Sequence, residues 1–169
     1  MKISHFPNTA ELVNALKSSD GYHAWHAAET AGNQKTREAI PLLFEIISRP
    51  NPDLGDADLR RISVWALAQF SYAELEVAAA KTAVSQNPLA REGVADLLGF
   101  YSSSEPAFAL LKVLAKDENY DVRLWAALSL AKHGEKALSF LKQLQSSAGD
   151  KRDRDLWDDA LAKIANKRS

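Results

Sequence analysis

Apolar residues recur along the chain at helical spacing, as in Leu42, Leu43, Ile46 and Ile47, or Phe108, Leu111 and Leu114. Such segments carry one apolar and one polar face. Five of them cover residues 11–17, 36–48, 74–85, 105–116 and 135–145, and an alanine-rich stretch of the same period follows each. Gly21, Gly32, Asn87-Pro88, Gly134 and Gly149 fall between segments. There glycine can take the left-handed conformation that closes a helix, and proline cannot continue one. No stretch sustains period-two alternation, so no sheet is predicted.

The alanine-rich stretches are copies of one another. With Arg123 as reference, equivalent basic residues stand at Arg60, Arg91 and Arg154, at intervals of 31, 32 and 31. Seven residues after each comes Leu67, Leu98, Leu130 or Leu161, and eight after comes Ala68, Gly99, Ala131 or Ala162. A weaker copy starts at His23, with Thr30 and Ala31 in those slots. Its longer gap to Arg60 is filled by residues 49–56, Arg-Pro-Asn-Pro-Asp-Leu-Gly-Asp, whose prolines and glycine predict a loop. The units cover about residues 9–32, 36–71, 74–101, 105–133 and 135–167, each a pair of helices. One such hairpin cannot bury its apolar stripe alone. The expected fold is therefore all-α, a single domain over residues 1–169 in which five helical hairpin repeats stack as a right-handed α-solenoid, or superhelix. Thr30 in the first unit, and Asp153, Asp158 and Asp159 in the last, fit solvent-facing caps.

Composition narrows the chemistry. The chain has 169 residues, 21 Lys+Arg against 22 Asp+Glu, 46% apolar residues and no cysteine. The balanced charge gives no electrostatic reason to expect a nucleic-acid or anionic-membrane partner. Thiolate metal sites and thiol nucleophiles are excluded. The amino terminus lacks the apolar core of a signal peptide and no window approaches 18 consecutive apolar residues, so a cytoplasmic location is expected.

The run at residues 110–131, Leu-Leu-Lys-Val-Leu-Ala-Lys-Asp-Glu-Asn-Tyr-Asp-Val-Arg-Leu-Trp-Ala-Ala-Leu-Ser-Leu-Ala, resembles the HEAT-like repeat of the phycobilisome-lyase type. In weaker form the resemblance extends from about residue 11 to 166. It implies that Asp and Arg side chains tie adjacent repeats, a role that falls on Asp117, Asp121 and Arg123, and on Asp58 with Arg60. It also implies that the second helices line the concave side. It does not imply one activity, because this scaffold hosts binding modules, chromophore lyases, DNA glycosylases and a di-iron hydroxylase; function must come from a site.

On each second helix the slots one, five and nine residues after the reference are expected to face outward. They read Ala24, Ala28 and Gly32; Arg61, Trp65 and Gln69; Glu92, Asp96 and Phe100; Leu124, Leu128 and Lys132; Asp155, Asp159 and Lys163. Trp65, Phe100, Leu124 and Leu128 are large apolar groups where solvent is expected, rimmed by Arg61, Glu92 and Asp96. An apolar patch with a charged rim marks a binding surface. A one-slot shift in register would bury them instead. Trp25 and Trp125 stand two residues after the reference and are assigned to packing between repeats, and Trp157 to the core of the last repeat.

Catalytic chemistry has no visible carrier. His23, His26 and Glu29 share a helical face but lack a further ligand, so no metal is expected. No His-Glu dipeptide, glycine-rich phosphate loop or Gly-x-Ser-x-Gly elbow occurs. The expectation is a non-catalytic module without cofactor that holds a protein or peptide on its concave surface, the partner presenting basic and apolar groups to the acids of the trough. Two other readings stay open: an immunity or inhibitor protein that neutralises a toxin or enzyme, and a phycobilin-lyase-like enzyme or its accessory subunit.

Overall fold

Helix starts are written into the sequence as side-chain caps, which satisfy amides that have no partner inside the helix. In the computed structural model, which describes residues 6–49 and 54–166, Asn8 accepts from the Glu11 amide at 2.9 Å and opens helix α1, Thr9–Ala15. Asp20 accepts from the amides of Tyr22 and His23 and opens α2, Gly21–Gln34. A 3₁₀ turn at Arg37–Ala39 leads into α3, Ile40–Ile47, and α4 follows at Leu54–Leu67. Ser71 and Glu74 form a reciprocal capping box at the start of α5, Tyr72–Ala83. Asn87 accepts from the Leu89 amide in the first turn of α6, Pro88–Leu98. Ser104 caps α7, Glu105–Leu114, and Asn119 caps α8, Tyr120–Lys132. A second 3₁₀ turn, Gly134–Ala137, precedes α9, Leu138–Ser147, and α10 spans Lys151–Asn166. The described residues hold helices and turns and no strand.

Three local expectations are corrected. Gly32 lies inside α2, and the left-handed residue that closes this helix is Lys35, at φ 52°. Leu54, Gly55 and Asp56, expected in a loop, already belong to α4, while residues 50–53 lie outside the described residues. The segments at 36–48 and 135–145 each begin with a 3₁₀ turn rather than a full α-helix. The left-handed Gly134, at φ 64°, does stand where a stop was expected.

The residues divide into two compact units, Met1–Val94 and Ala95–Ser169, with the border inside α6. In the first, α1 packs on α2, α3 on α4, and α2 runs along α4. In the second, α7 packs on α8, α9 on α10, and α8 lies beside α10. Leu161 in the last hairpin is half-buried, while Leu67, Leu98 and Leu130, the leucines seven residues after the other reference arginines, are fully buried. Each contributes about 2 kcal/mol by removal from water.

Two of the reference arginines share a structural task. Arg91 donates through Nη1 to the carbonyl oxygen of Ser85 at 2.7 Å, and Arg123 through Nη1 to that of Asp117 at 2.8 Å. Both acceptors stand six residues earlier, in the turn leading to the helix. One cation thus holds orphaned carbonyls at the end of the first helix. The same guanidinium reaches the next hairpin: Arg123 donates through Nε and Nη2 to Asp153 at 3.2 and 2.7 Å. The tie between hairpins expected from the resemblance exists, but its acid is Asp153. Asp121 is exposed in the first turn of α8, where its charge suits the helix dipole. Asp58 lies outside the described side chains.

Candidate functional site: the outer faces of the second helices

In the first unit, the close approach of α2 and α4 decides which side chains reach solvent. A β-carbon placed on Gly32 would lie 2.8 Å from the Ala66 Cα and 3.0 Å from the Trp65 ring. Only glycine lets the helices meet there. Ala24, Ala28 and Gly32, expected to face outward, are buried. The register of the first hairpin is displaced by one slot. Gly32 matches Gly99 of the third hairpin, because each receives the residue six past the reference on the following helix, Ala66 or Ser129. His23 is therefore not the counterpart of the arginines; Ala24 is.

Arg61 is exposed on α4 as expected, and Trp65 is half-buried, its carbonyl oxygen accepting from Gln69 Nε2 at 3.0 Å. Glu92 does not face solvent. It is 9% exposed, with its carboxylate 3.9 Å from Arg60, whose Nη2 also donates to the Leu89 carbonyl. The physical reason is charge: a carboxylate one turn into a helix folds back onto the cation offered by the preceding hairpin. Glu92 is a tie, like Asp153, and leaves the proposed rim.

In the second unit, four of the expected residues lie on outward faces. Phe100 follows the end of α6 and is 49% exposed. Asp96, Leu124 and Leu128 are half-buried. Lys132, at the end of α8, joins two of them: its ammonium is 3.3 Å from the Asp96 carboxylate and 4.7 Å from the Phe100 ring centroid. The Asp96 charge is thus met from within the chain. Lys132 and Leu128 also border an open cleft of about 410 Å³ between α8 and α10, completed by Trp125, Ala131, Lys163 and Asn166. Phe100, Lys132, Leu128 and Trp125 form one continuous surface, apolar at its centre and cationic at its edge.

Of the cleft lining, Lys163 stands on the outward slot that the spacing assigns to it, Trp125 is expected in packing between repeats, and Asn166 carries no sequence signal. The signal for Trp125 is its neighbour Leu124, which the slots place outward. Trp157 is buried in the last hairpin, as assigned. Trp25 is half-buried with its ring edge-on to His26. The His23 ring meets Phe6, and His26 Nδ1 approaches Glu29 at 3.5 Å. Among the described residues no cluster of histidine and carboxylate groups could hold a metal ion.

The second unit also holds a buried imidazole. His133 Nε2 lies 3.3 Å from the Leu98 carbonyl oxygen and its ring meets Phe108 at 5.3 Å. Its Nδ1 is buried without a partner. Burial pushes its pKa below the ordinary histidine value, and the Lys136 charge lowers it further; the Leu98 carbonyl and Glu105 oppose both. The group is structural, since it does not reach the cleft lining.

The repeated hairpins, the arginine staples and the glycine-mediated helix contacts define an α-solenoid of helical repeats. The family model for HEAT repeats matches residues 53–131 and 77–162, together more than half of the chain, and the protein belongs to the HEAT-repeat family. No curated protein matches the chain. No described helix is long and apolar enough to cross a membrane.

Proposed function

We propose that the protein is a non-catalytic, cytoplasmic binding module that holds a protein or peptide partner on the outward faces of its second helices. The surface built by Phe100, Leu124, Trp125, Leu128 and Lys132 in the second unit anchors the partner. One observation carries this reading: an aromatic ring half open to water is continuous with an apolar cleft that no side chain of α10 fills. HEAT repeats are commonly protein-interaction scaffolds, which supports it. Trp125 and Phe100 are of the residue type that dominates binding energy when a partner removes it from water. Arg61 and Trp65 are the candidate contacts of the first unit.

The sign of the rim changes the partner's expected chemistry. Of the four acids that suggest a basic partner, Glu92 and Asp96 are met by Arg60 and Lys132, while Asp155 and Asp159 stay exposed on α10 away from the cleft lining. With Lys132 and Lys163 at the cleft edge, an apolar anchor flanked by neutral or acidic groups fits better than a basic one.

The test is affinity capture from native lysate with the wild-type chain and with two single variants, Leu128→Asp and Phe100→Asp, each checked by circular dichroism. The reading expects at least one protein retained by the wild type and lost by both folded variants. Retention of the same proteins by all three would overturn it.

A further inference from the structure

A second groove runs along the first helices of the second unit, and none of its residues is shared with the α8–α10 cleft. It measures about 690 Å³ and is lined by Ala109, Lys112, Val113 and Lys116 of α7 and by Phe140 and Gln143 of α9. The core of α7 is made by Phe108, Leu111 and Leu114, all buried. Ala109 and Val113 are not needed there; they lie on the opposite side, and Val113 is 62% exposed. On a solvated helix face these positions are ordinarily polar.

The charges in the groove have one sign. Lys112 and Lys116 stand one turn apart, a spacing at which like charges destabilise a helix. Their ammonium groups lie over apolar rings rather than beside acids: Lys112 is 5.3 Å from the Phe108 centroid and Lys116 is 5.7 Å from that of Phe140. Among the described residues the lining carries no carboxylate. Lysine stems extend the apolar surface while their heads stay at its edge.

From this we infer that the α7–α9 groove docks an acidic amphipathic helix of a partner protein. Residues 109–116 span about two helical turns, roughly 10 Å. Two or three apolar side chains at helical spacing can occupy that length, as in other helix-in-groove recognition. Glutamate or aspartate flanking those anchors would meet Lys112 and Lys116, giving the orientation and the specificity. The groove is distinct from the surface assigned above, and either assignment can fail without the other.

The probe is a synthetic amphipathic peptide of about 15 residues, near the shortest length that holds helix in water. It carries leucine at helical spacing and glutamate on the flanks, and is titrated into the isotope-labelled full chain by NMR. The expected result is saturable shifts at Ala109, Val113, Phe140 and Gln143, with affinity falling at least tenfold in the Lys112→Glu, Lys116→Glu double variant. Should that variant unfold, Lys112→Gln with Lys116→Gln is expected to weaken binding several-fold. The inference is overturned if the peptide produces no shifts at about 1 mM. Equal binding of a peptide with lysine in place of glutamate would also overturn it, as would shifts confined to the α8–α10 cleft. So would shifts at these residues from monomeric dodecanoate but not from the peptide, which would make the groove a site for a lipid acid.

Discussion

Two neighbouring pairs of second helices, one in each unit, are built from the same repeat and end differently. In the α2–α4 pair Gly32 meets Ala66, with a Gly32 β-carbon position 2.8 Å from main chain, and Ala24 and Ala28 of α2 are buried as well. The α8–α10 pair also has small buried residues, Ala127 and Ala131, at the slots of Ala28 and Gly32, and beside them Trp125 and Leu128 line a cleft of about 410 Å³. The difference lies beside the seam, where α2 carries His26 and Glu29 and α8 carries Trp125 and Leu128, and it teaches that side-chain type at a few slots, with no change of fold, gives adjacent hairpins different outer surfaces. Small residues give cohesion; large ones that do not interdigitate give a surface.

The largest expected effect comes from forcing the sealed pair open. Gly32→Leu adds a side chain against the backbone of Ala66 and should cost about 3 kcal/mol, the upper part of the range for overpacking a tight contact. Urea denaturation of the wild type and the variant measures it. A change below about 1 kcal/mol would show that α2 and α4 are not in close contact.

Next come the ties that hold hairpins together. Arg123→Met removes the donor to Asp117 and leaves the partly buried Asp153 without its cation, and should cost about 2 kcal/mol. Asp121→Asn, on the same helix but exposed, should cost no more than about 0.5 kcal/mol. Thermal melts of the two variants compare these contributions directly.

The staple shows what was legible in the sequence and what was not. The arginine interval and the leucine seven residues later located four hairpins, because Arg91 and Arg123 are constrained by loop carbonyls and Leu67, Leu98 and Leu130 by the core, while the last copy, with Arg154 exposed and Leu161 half-buried, keeps the spacing. The first hairpin was displaced by one slot because His23 does not perform the arginine's task. Its true marker is Gly32, whose role is visible only once Ala66 is seen beside it. Helical slot arithmetic also gives a side chain's direction and not its reach. Glu92 starts outward and bends back to Arg60, and Asp96 is met by Lys132 from the next hairpin. The cleft was invisible for a related reason: it is defined by what α10 fails to fill, and a missing contact has no residue to announce it.

A pH effect of intermediate size separates the buried floor from the open face. His133 binds its proton less readily when folded than the ordinary value of 6.5. The unfolded chain therefore takes up a proton that the folded chain resists, so this group's contribution to stability is full above about pH 6.5 and is lost as acid is added below it. The urea midpoint of the wild type should fall more steeply between about pH 7 and pH 5 than that of His133→Gln. Parallel slopes would mean that His133 titrates normally and is open to water.

The smallest effect is expected at the open face itself. Phe100→Ser should change stability by no more than about 0.5 kcal/mol, the range for surface positions. Leu130→Ala, fully buried on the neighbouring helix, should cost about 3 kcal/mol. Similar costs for the two would place Phe100 in the core and remove the surface from consideration.

Site-specific photo-crosslinking in living cells of the source tests the central claim most directly. p-Benzoylphenylalanine is placed at Phe100 or Leu128, with the exposed Glu76 of α5 as control. The account predicts one adduct, of the same mass from Phe100 and Leu128 and absent from Glu76. No adduct from either position, or the same adduct from all three, would contradict it.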